Sequence, residues 1–196
     1  MDNAAPTGSA PPTPAALSGA LPEALAERAR RLEWLLCDVD GVLTDGRLWY
    51  TAEGETLKAF HVRDGLAFRL AQRAGLSIGL FSGRKSPPLE KRARDLDFDT
   101  WIVGSKEKGS DFESFLERES VNAEHVAFIG DDWIDLPVIR RCGLSFCPAD
   151  AVPEVRQRVD VVLDTPGGAG AVRELVEKLL YARGSWDAIL GYYADR

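Results

Sequence analysis

The feature that most constrains this chain is a regular alternation of short, continuous apolar runs with longer segments of helical character. The apolar runs lie at residues 34–39, 76–81, 100–103, 125–129, 144–147 and 160–163. The segments that suit helices lie at residues 64–74, 88–95, 108–119, 133–140 and 169–182. A strand that is apolar along its whole length is covered on both faces of its sheet. Strands of this kind, alternating with helices, predict an α/β fold with a doubly wound parallel sheet.

One segment interrupts this alternation. Residues 47–51 and 55–60 flank a short linker that contains Gly54, and this pattern predicts a β-hairpin inserted after the first strand. An isolated hairpin is only marginally stable in water. Because this one carries several large apolar side chains, it has to pack against its own domain or against another subunit. We call residues 47–60 the flap.

The two ends of the chain differ from its centre. Residues 1–21 are rich in Ala, Pro, Ser, Thr and Gly, which predicts a disordered leader. Pro22 is favoured in the first turn of a helix and predicts a short helix that continues to Arg31. The sequence therefore predicts one domain over residues 22–183, followed by a C-terminal tail over residues 184–196.

Charge and cysteine content limit the kinds of partner and the cellular compartment that the sequence suits. The chain has 24 Lys and Arg against 31 Asp and Glu, a formal net charge of −7, which disfavours nucleic acid or an anionic membrane as a partner. No apolar run approaches the ~20 residues of a membrane span, and the first residues lack the pattern of a secretory signal. The three cysteines, Cys37, Cys142 and Cys147, include no C-x-x-C pair and fit a reducing compartment. We therefore expect a cytoplasmic protein.

Polar residues follow four of the predicted strands, where open parallel sheets bind their ligands. Each motif taken alone has an ordinary interpretation, since Asp-x-Asp is common in turns and both a Ser-Gly pair and an Asp pair suit helix starts. The conjunction at four strand ends favours a single site. The residues concerned are Asp38 and Asp40, Ser82 and Gly83, Lys108, and Asp131 and Asp132.

These residue types indicate phosphoryl transfer. Crowded carboxylates repel one another unless a cation neutralises them, and hard oxygen ligands suit Mg²⁺. A hydroxyl, a lysine and free backbone amides form a phosphate cradle. A carboxylate nucleophile with a second carboxylate as acid and base can act through an aspartyl phosphate. The residues alone leave open which aspartate attacks.

The same residues resemble a known family. The segments that resemble the four motifs of haloacid dehalogenase superfamily phosphatases are 38–46, 81–85, Lys108 and 130–135. The segments that are similar to 3-deoxy-D-manno-octulosonate 8-phosphate phosphatases are 58–65, 143–151 and 167–174. The resemblance covers about residues 32–183. It implies a Rossmann-like fold with the flap as a minimal cap, Mg²⁺ as cofactor, and hydrolysis of a sugar-acid phosphate monoester.

The resemblance also implies residue roles. Asp38 corresponds to the nucleophile and Asp40 to the general acid and base. The metal ligands correspond to Asp38, the Asp40 carbonyl and Asp131, with Asp132 supporting the metal or the motif lysine. The phosphoryl group is expected on Ser82, the Gly83 amide and Lys108.

Three positions depart from the family pattern or leave it ambiguous. Ser82 replaces the usual Thr but keeps its hydroxyl, and His61 stands where Asn is expected. Lys106 is an alternative to Lys108, although the spacing from Gly104 favours Lys108.

The substrate and the assembly follow from the resemblance less directly. An octulosonate phosphate carries a carboxylate, for which the planar fork of arginine is suited. The candidates are Arg63, expected on a strand leaving the hairpin, Arg84 and Arg92. The family pattern further implies a homotetramer in which the flap and the tail help to complete a neighbouring subunit's site.

Three alternatives remain open at this point. One is a phosphatase for a nine-carbon, sialic-type sugar 9-phosphate, and another is a non-catalytic interaction module. The third is a phospho-receiver domain, which also uses an acidic pocket and a lysine. Receivers place their acidic pair at the first strand and the phosphorylated aspartate later, which differs from the order in this chain.

Overall fold

The computed structural model describes residues 20–195. The predicted leader, residues 1–21, lies outside the described residues apart from its last two positions. The strands are β1 (Trp34–Cys37), β2 (Trp49–Thr51), β3 (Gly54–Leu57), β4 (Ser77–Ser82), β5 (Thr100–Val103), β6 (Val126–Ile129), β7 (Leu144–Cys147) and β8 (Val161–Val162). The helices are α1 (Glu23–Arg30), α2 (Val62–Arg73), α3 (Pro87–Asp95), α4 (Lys108–Glu119), α5 (Leu136–Ile139), α6 (Pro153–Arg156), α7 (Ala171–Ala182) and α8 (Trp186–Ala194). Short 3-10 turns lie at Ala123–His125 and Trp133–Asp135.

Within residues 20–195, six strands form one sheet in the order β5-β4-β1-β6-β7-β8, and every neighbouring pair in it runs parallel. Trp34 of β1 aligns with Ser77 of β4 on one side and with Val126 of β6 on the other. The chain winds outward in one direction from β1 to β5 and in the other from β6 to β8. The predicted doubly wound α/β fold is confirmed. The reversal between β1 and β6 marks the crevice where such folds bind ligands.

The two faces of the sheet bury separate apolar clusters, which explains why the strands are apolar throughout. In β1, Leu35 belongs to the cluster that contains Phe68 of α2, whereas Leu36 belongs to the cluster that contains Phe112 of α4. All four side chains are buried. Each such side chain stabilises the fold by about 1.5–3 kcal/mol relative to an exposed one. The helices therefore fix the sheet from both sides.

The flap contains the predicted hairpin. β2 and β3 pair antiparallel, with Trp49 opposite Leu57 and Tyr50 opposite Glu55. The side chains of Trp49, Tyr50 and Leu57 are 55%, 61% and 63% exposed. The apolar surface of the flap is therefore largely uncovered by its own domain.

Helix α2 begins earlier than the sequence analysis placed it. It starts at Val62, after His61 in an extended conformation at the N-cap, and Asp64 lies in its first turn, where the helix dipole favours a negative charge. Arg63 therefore lies in the first helical turn. The prediction that Arg63 lies on a strand leaving the hairpin is wrong.

The C-terminal segment contains a helix that the sequence analysis did not assign. Gly184, in a left-handed conformation, follows α7, and α8 begins two residues later. Ile189 of α8 is buried, and the ring of Trp186 lies 4.4 Å from that of Tyr181. Although α8 is rich in apolar residues, no helix in residues 20–195 combines the length and the hydropathy that crossing a membrane requires.

Candidate active site

The carboxyl ends of β1, β4 and β6 lie side by side, and each leads into a predicted site residue. Asp38 follows β1 directly, Ser82 ends β4, and Asp131 lies just beyond β6. The backbone N–H of Asp38 donates to the carbonyl of Ile129 at 3.0 Å, so the sheet pairing continues into the site. The backbone thereby places two carboxylates and a hydroxyl at one edge of the sheet.

Lys108 is a buried lysine between two carboxylates. Its Nζ lies 2.9 Å from Oδ1 of Asp38 and 2.6 Å from Oδ1 of Asp135. Burial works to lower the pKa of Lys108, but the two carboxylates outweigh it and raise that pKa, so the side chain stays charged. Lys106, the alternative motif lysine, is exposed. The structure therefore places Lys108 at the site, as a fixed cation suited to an anionic phosphoryl group.

Asp135 is the site residue to which sequence reasoning gave no role. It is fully buried, and its Oδ2 accepts hydrogen bonds from the backbone N–H groups of Asp131 (2.9 Å) and Asp132 (3.2 Å). Gly130 makes room for it, because a Cβ there would lie 2.5 Å from the Asp135 carboxyl carbon. The available signal was its place three residues after Asp132, where a capping box puts its second side chain.

Asp132 differs from its prediction in one respect. Its side chain is exposed and accepts a hydrogen bond from the backbone N–H of Trp133 at 2.7 Å, so it caps the following turn. The prediction that Asp132 supports Lys108 is wrong, because Asp135 makes that contact. Its support of the metal stays a prediction.

The carboxylates of Asp38, Asp131 and Asp135 crowd together, with one oxygen of each within 4.8 Å of the other two. Burial, followed by repulsion from Asp135, raises the pKa of Asp38 to about 7. Burial, followed by repulsion from Asp38 and Asp135, raises the pKa of Asp131 to about 8. Oδ1 of Asp131 is buried and has no hydrogen-bond partner among the described residues. Mutually repelling carboxylates, one of them with an oxygen that has no partner in the described part of the chain, fit Mg²⁺.

Gly41 allows Asp131 to reach this position. Its φ of +88° lies in the left-handed region that side-chain-bearing residues rarely adopt. A Cβ at Gly41 would also lie 2.0 Å from Oδ2 of Asp131. The Asp-x-Asp-Gly sequence therefore serves a carboxylate that arrives from another strand.

The loop after β4 carries the predicted phosphate-binding groups. The backbone N–H of Arg84 donates to Oγ of the buried Ser82 at 3.2 Å, and Gly83 lies between them. The N–H of Ser105 donates to the carbonyl of Ser82 at 3.1 Å, which ties this loop to the segment leading into α4. Ser82, Gly83 and Lys108 therefore share one edge of the sheet.

Asp40 contacts the flap. Its Oδ1 accepts a hydrogen bond from Lys58, whose Nζ also lies 2.8 Å from Oε1 of Glu55. Arg84 lies 3.4 Å from Oε2 of Glu55 and 3.9 Å from Oδ2 of Asp40. These four side chains form a closed ring of alternating charge, which we call the flap ring. Sequence reasoning gave no role to Glu55 or Lys58, although opposite charges three residues apart in an apolar hairpin were a usable signal.

Contacts within the flap ring favour the charged form of Glu55. Burial works to raise the pKa of Glu55, but the hydrogen bond and the charge of Lys58 outweigh it and lower that pKa. The hydroxyl of Tyr50 lies 2.5 Å from Arg84, so a second flap residue contacts the same guanidinium. The flap is therefore linked to the strand ends by charged contacts.

The three candidate arginines lie in different surroundings. Arg84 belongs to the flap ring. Arg63 is exposed and borders an open cleft of about 640 Å³ beside α7. Arg92 lies 5.6 Å from the centre of the Phe60 ring. The structure brings Arg84 to the active site, and the substrate roles of all three stay predictions.

Comparison with known proteins decides the family. The haloacid dehalogenase-like hydrolase family matches residues 54–143. The 3-deoxy-D-manno-octulosonate 8-phosphate phosphatase KdsC of Haemophilus influenzae is 42% identical over 160 residues, which cover 82% of this chain and 89% of the relative. The chain belongs to the 3-deoxy-D-manno-octulosonate 8-phosphate phosphatase family of haloacid dehalogenase-like hydrolases.

Solved structures of this family share the fold of the chain. The cobalt-bound phosphatase of Haemophilus influenzae superposes with a TM-score of 0.78 at 43% identity, covering 80% of this chain and 92% of that one. The phosphatase of Moraxella catarrhalis, in complex with a magnesium ion, a phosphate ion and a KDO molecule, gives a TM-score of 0.84 at 30% identity, with 87% and 98% covered. The predicted family, fold and enzyme class are confirmed.

Proposed function

We propose that this chain hydrolyses 3-deoxy-D-manno-octulosonate 8-phosphate to the free sugar acid (KDO) and phosphate, with Mg²⁺ as cofactor. The observation that carries this proposal is the buried nucleophile position of Asp38, held by Lys108 and faced by Asp131 at the switch point of the sheet. It is supported by the relatives, one named for this reaction and another in complex with magnesium, phosphate and KDO.

The first step is attack on phosphorus by Asp38. Because Lys108 holds Oδ1 of Asp38, Oδ2 is left to form the new bond to phosphorus as the bond to the sugar oxygen breaks. Asp40 gives its proton to the departing sugar alkoxide. The phosphoryl group is then carried by Asp38, and Ser82 and the Gly83 amide bind its oxygens.

The second step is hydrolysis of the aspartyl phosphate. Asp40, now a carboxylate, takes a proton from water, whose oxygen attacks phosphorus and releases phosphate as the bond to Asp38 breaks. This returns Asp40 to the protonated state and Asp38 to the carboxylate, so atoms and protons balance over one turnover. Lys108 remains charged throughout and stays paired with Asp135.

The metal is expected on the carboxylates of Asp38 and Asp131 and on the carbonyl of Asp40. Bound Mg²⁺ would neutralise the carboxylates and the phosphoryl oxygens that share it. The carboxylate of Asp135 accepts hydrogen bonds from Lys108 and from two backbone amides. It would therefore hold Lys108 and the turn after β6 in place.

The proposal also covers the residue that binds the sugar acid, the oligomeric state and the cellular compartment. We assign the substrate carboxylate to Arg84, and the contacts of its guanidinium with Asp40 and Glu55 beside the strand ends support this choice. The exposed side chains of Trp49, Tyr50 and Leu57 form an apolar surface of the kind that marks interfaces, which supports a homotetramer. The cysteines are free thiols, which supports a cytoplasmic location.

The deciding experiment measures phosphate release from two sugar-acid phosphates, with Mg²⁺ and with a chelator. We expect kcat/KM for the eight-carbon 8-phosphate to exceed that for a nine-carbon, sialic-type 9-phosphate, and the chelator to abolish both. Equal or faster turnover of the nine-carbon substrate would replace the substrate assignment and leave the phosphatase chemistry standing. Activity that survives complete removal of metal would overturn the cofactor.

A further inference from the structure

Lys58 is a charged flap residue with no exposed side-chain surface. Its ammonium contacts the carboxylates of Asp40 and Glu55. Removing an ammonium from water is costly and is offset only by close charged partners. Glu55, three residues away in the same hairpin, already supplies one such partner. The contact with Asp40 is an additional bond that crosses from the flap to the loop after β1.

That crossing bond constrains how the Asp40 carboxylate is presented. Lys58 binds Oδ1 of Asp40, while Oδ2 is buried and has no hydrogen-bond partner among the described residues. Arg84 approaches Oδ2 only to 3.9 Å. Oδ1 is thus held by Lys58, and Oδ2 is the oxygen without a hydrogen-bond partner in residues 20–195, on which a proton for the bound substrate would be carried while Oδ1 stays on Lys58.

We infer that Lys58 is a positioning residue that holds Asp40 in the orientation for proton transfer to the leaving group, so that the flap is part of the proton-transfer machinery. The inference rests on the proposed function, in which Asp40 protonates the departing sugar oxygen. Among the described residues the ion-pair partners of Lys58 are Asp40 and Glu55, so Lys58 would act through Asp40. Replacing Lys58 should therefore lower kcat/KM for substrates whose leaving group needs a proton and leave it almost unchanged for substrates whose leaving group does not.

The test compares two leaving groups. An octulosonate 8-phosphate, or any alkyl phosphate that the enzyme turns over, releases a strongly basic alkoxide that needs the proton. Para-nitrophenyl phosphate releases a stable phenolate that does not. Because kcat/KM reports the step in which Asp38 attacks, it isolates this protonation from the later hydrolysis.

Lys58→Met should lower kcat/KM for the alkyl phosphate by about 10- to 100-fold and for the aryl phosphate by less than about threefold. Lys58→Arg, which keeps the charge and the donors, should restore the alkyl phosphate to within about threefold of wild type. Lys91→Met is the matched control, because Lys91 is an exposed lysine on α3 paired with Asp95, and it should change neither substrate. Equal losses on both substrates in Lys58→Met would overturn the inference.

Two further measurements separate this inference from the proposed function. Asp40→Asn should show the same preference for the aryl phosphate; if it does and Lys58→Met does not, only the inference on Lys58 fails. If Asp40→Asn shows no preference, the proposed proton donor is wrong and both proposals fall. Where Lys58→Met does not fold, as judged by thermal unfolding, Lys58→Gln removes the charge and keeps a neutral donor, and kcat/KM should still fall more for the alkyl than for the aryl phosphate.

Discussion

The strand-end cluster and the flap ring serve the same site but are built in different ways. Asp38 and Lys108 are buried and held by the register of the sheet and by the first turn of α4. In the flap ring, Glu55 and Lys58 belong to a two-stranded hairpin whose apolar side chains are largely exposed. The comparison teaches that Asp38, the proposed nucleophile, is held by the core, whereas Asp40, the proposed proton donor, is contacted by an element at the surface. Changes in the core should therefore stop the chemistry, and changes in the flap should alter which substrates are processed.

The largest expected effect follows from replacing Asp38, the proposed nucleophile, in the core. Asp38→Asn should reduce phosphate release by at least about 10³-fold, because an amide cannot form the acyl phosphate. The fold should be retained, since the amide keeps the shape of the side chain and relieves repulsion from Asp135. Phosphate release and circular dichroism check this. Retention of more than a small fraction of wild-type turnover would contradict the role of Asp38.

The next effect distinguishes two neighbouring carboxylates in the turn after β6. Asp135→Asn should lower the free energy of unfolding by about 3–5 kcal/mol, because it weakens a buried ion pair with Lys108. Asp132→Asn is the matched control, since Asn is as good a cap as Asp, and it should change stability by less than about 0.5 kcal/mol. Urea unfolding of both variants gives the comparison. Similar losses in the two variants would mean that the buried pair does not stabilise this turn.

At the flap, the effect should depend on the substrate. Arg84→Ala should lower kcat/KM for a substrate that carries a carboxylate by about 10- to 100-fold, mainly through KM, since one charge-assisted contact is lost. Turnover of phenyl phosphate, which lacks that carboxylate, should change less. Arg92→Ala provides a second arginine for comparison, because Arg92 lies beside the Phe60 ring and is not a member of the flap ring. Equal losses on both substrates in Arg84→Ala would remove it as the carboxylate-binding residue.

The smallest effect concerns pH and metal at the strand ends. In metal-free protein the pKa of Asp38 is about 7 and that of Asp131 about 8, both above the value of about 4 for an unfolded aspartate. The folded state therefore holds protons that the unfolded chain releases, so its stability falls as pH rises from about 4 towards 8. We expect the Tm in chelator to be a few degrees lower at pH 8 than at pH 6. Added Mg²⁺ should raise the Tm more at pH 8, which differential scanning fluorimetry would detect.

Most of the sheet and the strand-end cluster could be predicted from sequence, because both depend on local order along the chain. Asp38 and Ser82 follow continuous apolar runs, and a parallel sheet brings such ends together whatever the details of its packing. Asp135 could not be separated from Asp132 in this way. Both are aspartates in the same turn, and they differ in which backbone amides they accept hydrogen bonds from. Residue type does not reveal that difference.

The remaining differences arise from contacts between distant segments. Lys58 is charged and lies in a hairpin, so its sequence indicates an exposed side chain; its burial results from docking against Asp40. Arg63 lies on a helix because α2 begins two residues before the predicted start. In each case the local pattern was compatible with two structures, and tertiary packing selected one.

The central position of β1 has a consequence for how the protein is made. This strand pairs with β4 and β6, so its second neighbour is synthesised only after most of the domain has left the ribosome. A nascent chain that ends before β6 contains Asp38 but not Asp131, and so has neither the metal site nor the repulsion within it. The repulsion between Asp38 and Asp131 therefore begins only late in folding, when β6 pairs with β1 and completes the centre of the sheet. A metal ion bound by Asp38 and Asp131 would therefore stabilise only the stage at which the sheet closes, because its ligands are not together before that stage.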